Sequence, residues 1–200
     1  MPPVAPMFVL SGPSGAGKST VVDAVLAGCG YPLRRVVTAT TRAPRPGEVD
    51  GRDYHFWTDD RFRDALAAGE MLEHAVVFGT DHYGTPRSEV DPHRAAGTGV
   101  LLVIDVQGAA QVRARYPNDH RSVFLAVPSL DELERRLRGR GTEDEARIAR
   151  RLKAAEDETN RAGEFDATVV NDTVPAAVGR LLDLIDREFT LRGIPKCSTN

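Results

Sequence analysis

Eight residues near the amino terminus, Gly12-Pro13-Ser14-Gly15-Ala16-Gly17-Lys18-Ser19, constrain this chain more than any others. They match G-x-x-x-x-G-K-[ST] at every fixed position. A short apolar run, Met7–Leu10, precedes them, and a helical stripe of Val21, Val22, Val25 and Leu26 follows. A strand that turns through glycines into a helix converges backbone N–H groups on one point, and the helix dipole adds positive potential there. Such a cradle suits a polyphosphate. Gly12 to Ser19, with Thr20, is therefore the candidate nucleotide-phosphate site. Lys18 would reach the β- and γ-phosphates, and the Ser19 hydroxyl would bind Mg²⁺. The bland alternative is a glycine-rich turn that happens to hold a lysine; the strand-loop-helix context outweighs it.

The rest of the chain alternates in the same way. Extended runs are expected at Met7–Leu10, Val36–Ala39, Met71–Phe78, Val100–Ile104, Ser122–Val127 and Thr168–Val170. Helices are expected at Lys18–Ala27, Asp59–Ala68, Gln107–Tyr116 and Pro175–Phe189. Asp91-Pro92 suits an N-cap followed by proline, opening a short helix that stops at Gly97. Ser129 and Glu132, and again Thr142 and Glu145, have capping-box spacing ahead of apolar helical stripes. This order predicts an α/β chain: a P-loop NTPase fold with a parallel sheet covered by helices on both faces.

At 200 residues the chain is expected to form a single domain, 1–200. Lys plus Arg total 26 and Asp plus Glu 29, a formal charge of −3, which argues against a general nucleic-acid binder. No apolar run approaches the roughly 20 residues of a membrane span, and Met1–Met7 has no basic leader region. Neither nucleic acid nor a membrane is thus an expected partner. Two cysteines, Cys29 and Cys197, make no disulfide scaffold and suggest a reducing cytoplasm. Oligomeric state is not legible. The five histidines show no metal-ligand spacing.

Val100–Ile104 ends in Asp105, at the sheet edge where ligands of open α/β sheets gather. Asp105 is a site candidate for metal or for substrate, against the alternative of a turn residue. The guanine-reading Asn-Lys-x-Asp of GTPases and the Ser-Gly-Gly-Gln signature of transport ATPases are both missing. A second phosphate-binding cluster would point to a nucleotide kinase. Thr38-Ala39-Thr40-Thr41-Arg42-Ala43-Pro44-Arg45-Pro46-Gly47-Glu48 supplies one, with two arginines in a proline-stiffened segment that leads to Asp53-Tyr54. Fixed guanidinium groups suit a dianionic monophosphate.

With this run, T-T-R-x-P-R-x-G-E-x-x-G-x-D-Y, the chain resembles the guanylate kinase family, which makes GDP from GMP and ATP. Ile104–Gly108 (I-D-V-Q-G) and Gly139–Glu143 (G-R-G-T-E) follow in the family's order, and the resemblance spans Met7 to Glu188. It implies a core at 7–37, 99–130 and 165–190, a GMP-binding region at 38–90 and a mobile lid region at 131–161. It implies ATP as donor, held by residues 12–20 with Asn171 near the adenine, and Mg²⁺ as cofactor. Arg42, Arg45, Glu48, Tyr54 and Tyr83 would serve the GMP phosphate; Glu73, with Thr38, Thr85 and Asp105, would serve guanine. Lys18 and the lid arginines Arg136, Arg140 and Arg151 would be catalytic. dGMP is a second candidate acceptor. The departures are Thr38 where serine is common, one extra residue in Gly79–Tyr83, and Val103 where many relatives carry an acid. Two rivals are weighed: a P-loop kinase for a sugar phosphate, and a catalytically inactive, protein-binding relative. Glu73 and Thr38 favour a purine acceptor, and retention of Lys18 and the lid arginines favours an active enzyme.

Overall fold

A computed structural model describes residues 4–77, 81–139 and 145–197. Its strands are β1 (Met7–Ser11), β2 (Leu33–Arg35), β3 (Ala39–Thr40), β4 (His55–Phe56), β5 (Met71–Val77), β6 (Asp81–Pro86), β7 (Gly99–Val103), β8 (Arg121–Ala126) and β9 (Ala167–Val170). Its helices are α1 (Lys18–Gly28), α2 (Asp59–Ala67), α3 (Asp91–Ala95), α4 (Val106–Arg115), α5 (Leu130–Arg138), α6 (Glu145–Thr159) and α7 (Val174–Leu191).

Five strands form a parallel sheet in the order β2-β7-β1-β8-β9. Side chains of β1 alternate across it. Phe8 and Leu10 pack with Val21, Val22 and Val25 of α1 and with Leu181, Ile185 and Phe189 of α7. Met7 and Val9 pack on the other face with Leu102, Ile104, Ala109 and Val112. Both faces are therefore buried, which is why these strands read as unbroken apolar runs.

A second sheet has the order β4-β3-β6-β5. β3 runs parallel to β4 and antiparallel to β6, which in turn is antiparallel to β5. Phe62 and Ala65 of α2 pack on it with Ala39 and Met71. The outer edge of β5 is covered by α4. His74 N–H donates to Gln111 Oε1 at 3.2 Å, the Gln111 amide donates back to the His74 carbonyl, and Arg115 donates to the Leu72 carbonyl at 2.7 Å.

Several expectations need correction. The strand expected at Val36–Ala39 divides: Leu33–Arg35 makes the ladder to β7, and Val36–Thr38 is a link into β3. Arg34 and Arg35 precede the expected run, and as residues of an edge strand they show that such a strand tolerates charge. Val36 is buried and its N–H still reaches the Leu101 carbonyl at 3.0 Å. Val90, not Asp91, is the N-cap of α3, so Asp91 is its first helical residue. β4 and β6 were not expected. Phe78 and the capping residue Thr142 lie outside the described residues.

Candidate active site

The loop between β1 and α1 depends on glycine. Gly12, Gly15 and Gly17 have φ of 138°, 98° and 88°. A Cβ on Gly12 would overlap the Leu125 carbonyl oxygen, so β8 lies directly against the loop. Lys18, the first residue of α1, folds its ammonium over the loop and donates to the Gly12 carbonyl and, at 3.1 Å, to that of Pro13. Ser19 and Thr20 are exposed in the first turn of α1.

Two of the expected partners bond this loop, and a third bonds one of them. Asn171, 3% exposed after β9, donates its amide to the Ala16 carbonyl at 2.7 Å. Arg136 of α5 bonds the Asn171 carbonyl at 3.0 Å and Glu132 at 2.7 Å. Arg151 of α6 reaches the Ser14 hydroxyl at 3.3 Å. Ser129 caps α5, as its spacing with Glu132 predicts, and Leu133 and Leu137 pack against Ala155 of α6. Arg140 lies outside the described residues.

Asp105 stands at the edge of β7 and also caps α4, accepting the Gln107 and Gly108 N–H groups at 3.1 and 2.8 Å. Its local duty as a cap accounts for an aspartate here without invoking a ligand. One carboxylate was missed. Burial pushes Glu158 up to about 6, with Lys18 opposing and Asp105 adding to the shift. Glu158 and Arg151 are seven residues apart on one side of α6, the one signal by which the sequence could have marked it.

On the second sheet, Arg42 is gripped from two sides. It pairs with Glu48 through two bonds of 2.9 and 3.0 Å and donates from Nε to the Tyr83 hydroxyl at 3.0 Å. Its guanidinium lies 5.3 Å from the Tyr54 ring centroid. Glu48 also accepts the Arg45 N–H at 2.7 Å, and pairing with Arg42 holds its carboxyl below the usual range. Arg42, Glu48, Tyr54 and Tyr83 are thus brought together, whereas the Arg45 side chain is exposed at the rim.

Glu73 and Thr85 face each other across β5 and β6. Glu73 is 2% exposed, and Thr85 donates to its Oε1 at 2.6 Å. Burial pushes this carboxyl up to about 7; the Thr85 bond opposes the shift, and the Asp105 charge adds to it. A buried carboxylate with one oxygen held and the other directed elsewhere is costly unless it serves a ligand or a tight local contact. Thr38 is half-buried in the link ahead of β3. Among the described residues no three His, Cys, Asp or Glu groups gather as metal ligands, and no helix is long and apolar enough to cross a membrane.

Comparison with known proteins converges on one family. The guanylate kinase family model matches residues 5–188. A guanylate kinase of Bifidobacterium longum is 48% identical over 188 residues, covering 92% of this chain and 95% of that protein. One from Synechococcus sp. strain CC9902 is 51% identical over 176 residues, covering 88% and 92%. The crystal structure of guanylate kinase from Anaplasma phagocytophilum superposes with a TM-score of 0.77 at 33% identity, covering 94% of this chain and 87% of that one.

Proposed function

We infer the residue roles from one premise: the chain belongs to the guanylate kinase family and phosphorylates GMP to GDP with ATP. The sugar-phosphate alternative falls with that membership. Lys18 and Arg151 bonded to the loop, with Arg136 on Asn171 that bonds it in turn, support an active enzyme over a protein-binding relative. The observation that carries the acceptor reading is the buried Glu73 carboxylate bonded to Thr85 on the sheet that also holds Arg42 and Tyr83. We propose residues 7–37, 99–130 and 165–190 as the core, 38–90 as the GMP-binding region and 131–161 as the lid. The chain works in a reducing cytoplasm, consistent with free Cys29 and Cys197.

The attacking atom is a phosphate oxygen that is already ionised at neutral pH, so no general base is required. Catalysis is alignment plus charge neutralisation. Residues 12–20 cradle the ATP phosphates, and Lys18, Arg136, Arg140 and Arg151 serve to neutralise charge on the transferring group. Asn171 flanks the adenine, its amide engaged by the loop. Arg42, Arg45, Tyr54 and Tyr83 hold the acceptor phosphate, and Glu48 keeps Arg42 in place. Glu73, Thr85 and Thr38 read guanine, with Asp105 beside them. Lid closure excludes water and limits ATP hydrolysis.

Mg²⁺ prefers phosphate oxygens, waters and one or two protein oxygens. The exposed Ser19, with the Glu158 carboxylate feeling both Lys18 and Asp105, suits that mode of binding. When bound, the ion supplies neutralisation of phosphate charge. A coupled assay of ADP formation from ATP-Mg²⁺ against GMP, dGMP, AMP, CMP and a sugar phosphate tests the whole reading. GMP and dGMP should turn over; turnover of the sugar phosphate alone would sink it.

Arg140→Ala should lower kcat far more than it weakens GMP binding, because its contact forms on closure. Calorimetry showing GMP affinity lost with kcat preserved would move Arg140 to the acceptor site.

Glu73 gives a pH signature. Guanine offers two donors, N1–H and the 2-amino group, so only the ionised carboxylate accepts both. With its carboxyl near 7, the KM for GMP should rise about tenfold per pH unit below that value and level off above it. Glu73→Gln should lose this component while keeping the titration of the GMP phosphate itself. Stability runs in the opposite sense. The folded-state value is raised, so stability is complete below about 4.5 and is lost as pH rises towards about 7. Glu73→Gln should therefore raise Tm at pH 8 and leave it little changed at pH 4.5. Equal shifts at both pH values would mean that the buried charge is not the cause.

A further inference from the structure

Gly108 has an ordinary helical backbone, so its identity is not explained by chain geometry: it is absent from the positive-φ glycines. Within a helix glycine is less favourable than alanine, and Gly108 is the third residue of α4. The reason for glycine is space. A Cβ built on Gly108 would overlap Glu73 Oε2 and come within 3.0 Å of Glu73 Cδ. One oxygen of the buried carboxylate therefore rests against the first turn of α4, while Thr85 holds the other.

The docking of α4 on β5 fixes this contact from both sides. Gln111 pairs with the backbone of His74, one residue after Glu73, and Arg115 with the carbonyl of Leu72, one residue before it. Gly108, Gln111 and Arg115 are spaced by three and four residues, so they share the helix face that meets the strand. At the level of Gln111 and Arg115 that face reaches out with long side chains. At the level of Glu73 it carries a hydrogen. The Gly108 N–H is meanwhile bonded to Asp105, which anchors the same turn.

We propose that Gly108 is a positioning residue for guanine selection: its missing side chain is the space in which the Glu73 carboxylate is held in register for the base. The proposal rests on the reading of Glu73 as the guanine acceptor. A methyl group at residue 108 meets the far end of a flexible side chain, so the fold can yield by swinging the carboxylate away. What is lost is the direction of its oxygens, not the domain.

The test is a double-mutant cycle of Gly108→Ala and Glu73→Ala, read by steady-state kinetics with GMP, AMP and ATP and by thermal unfolding. In the wild-type background Gly108→Ala should raise the KM for GMP by on the order of tenfold to a hundredfold and narrow the GMP-to-AMP ratio of kcat/KM, with the KM for ATP unmoved. In the Glu73→Ala background it should change neither, and should raise Tm by about 2–4 °C because alanine is the better helix former. The same substitution should raise Tm less, or lower it, when Glu73 is present. A KM effect of equal size in both backgrounds, or equal Tm shifts with no KM effect, would overturn the proposal. Non-additive Tm shifts alongside an unchanged GMP-to-AMP ratio in Glu73→Ala would instead overturn the guanine reading of Glu73, and the specificity role of Gly108 with it. If Gly108→Ala alone does not fold, the carboxylate has not yielded and the proposal is overturned, because residue 108 then serves packing rather than the direction of the Glu73 oxygens.

Discussion

Lys18→Ala should leave a folded protein whose kcat is lower by on the order of 10²–10³ or more. Its ammonium lies over the phosphate loop at the start of α1 and bonds loop carbonyls there, outside the two packed faces of the sheet. Removing it should therefore disturb the ligand more than the core. The loop shape rests on its glycines and on the Asn171 bond to Ala16, which the substitution does not touch. On the role proposed for Lys18, the loss is one preorganised positive charge at the transferring group, where the surrounding protein screens less than water. Steady-state kinetics on protein whose Tm and circular dichroism match wild type would check this. Turnover near wild type would remove the loop from the mechanism.

The second large effect concerns the base. AMP should be a very poor acceptor, because adenine presents a bare N1 and lacks the 2-amino group. The Glu73 carboxylate would then stay buried and unpaired on its ligand side. A site built to hydrogen-bond a donor rejects a ligand lacking it by roughly 10⁴–10⁵. Thr85 donates to Oε1, so in Glu73→Gln the amide oxygen is the natural partner for Thr85. That places the amide N–H₂ against the two donors of guanine. The KM for GMP should rise, and the GMP-to-AMP ratio of kcat/KM should fall by on the order of tenfold or more. An unchanged ratio would mean that guanine is read elsewhere.

The phosphate loop and the parallel sheet were legible because their signals are local or strongly patterned. Glycines and lysine at fixed offsets define the loop, and runs such as Val100–Ile104 are apolar on both faces because both are covered. The second sheet was much less so. β3 and β4 are two residues each, and β6 is a polar run, Asp81 to Pro86, containing Gly84. These segments are strands because they lie next to other strands, and no periodicity within them says so. Glu73 showed the same limit. A carboxylate in a strand reads equally as solvent-facing or site-facing, and its surroundings here come from Thr85 in the next strand and Gly108 in a distant helix. Glu158 was hidden in the acidic run Glu156-Asp157-Glu158, where only its helical phase with Arg151 distinguishes it. The family resemblance supplied the residue assignments that spacing alone left open.

The seat of α4 along β5 has a consequence for behaviour in a crowded solution. A free sheet edge carries unsatisfied N–H and C=O groups in a row, and such a row can template pairing with another chain. The small sheet ends on one side in β4, only two residues long, and on the other in β5, which is seven. At His74 the Gln111 side chain takes the place that a neighbouring strand would occupy, offering one acceptor and one donor to the same residue. Arg115 occupies the next carbonyl along. The helix that abuts Glu73 thus also shields part of the longest strand of this sheet from intermolecular pairing, and a chain caught before α4 docks would expose it to aggregation.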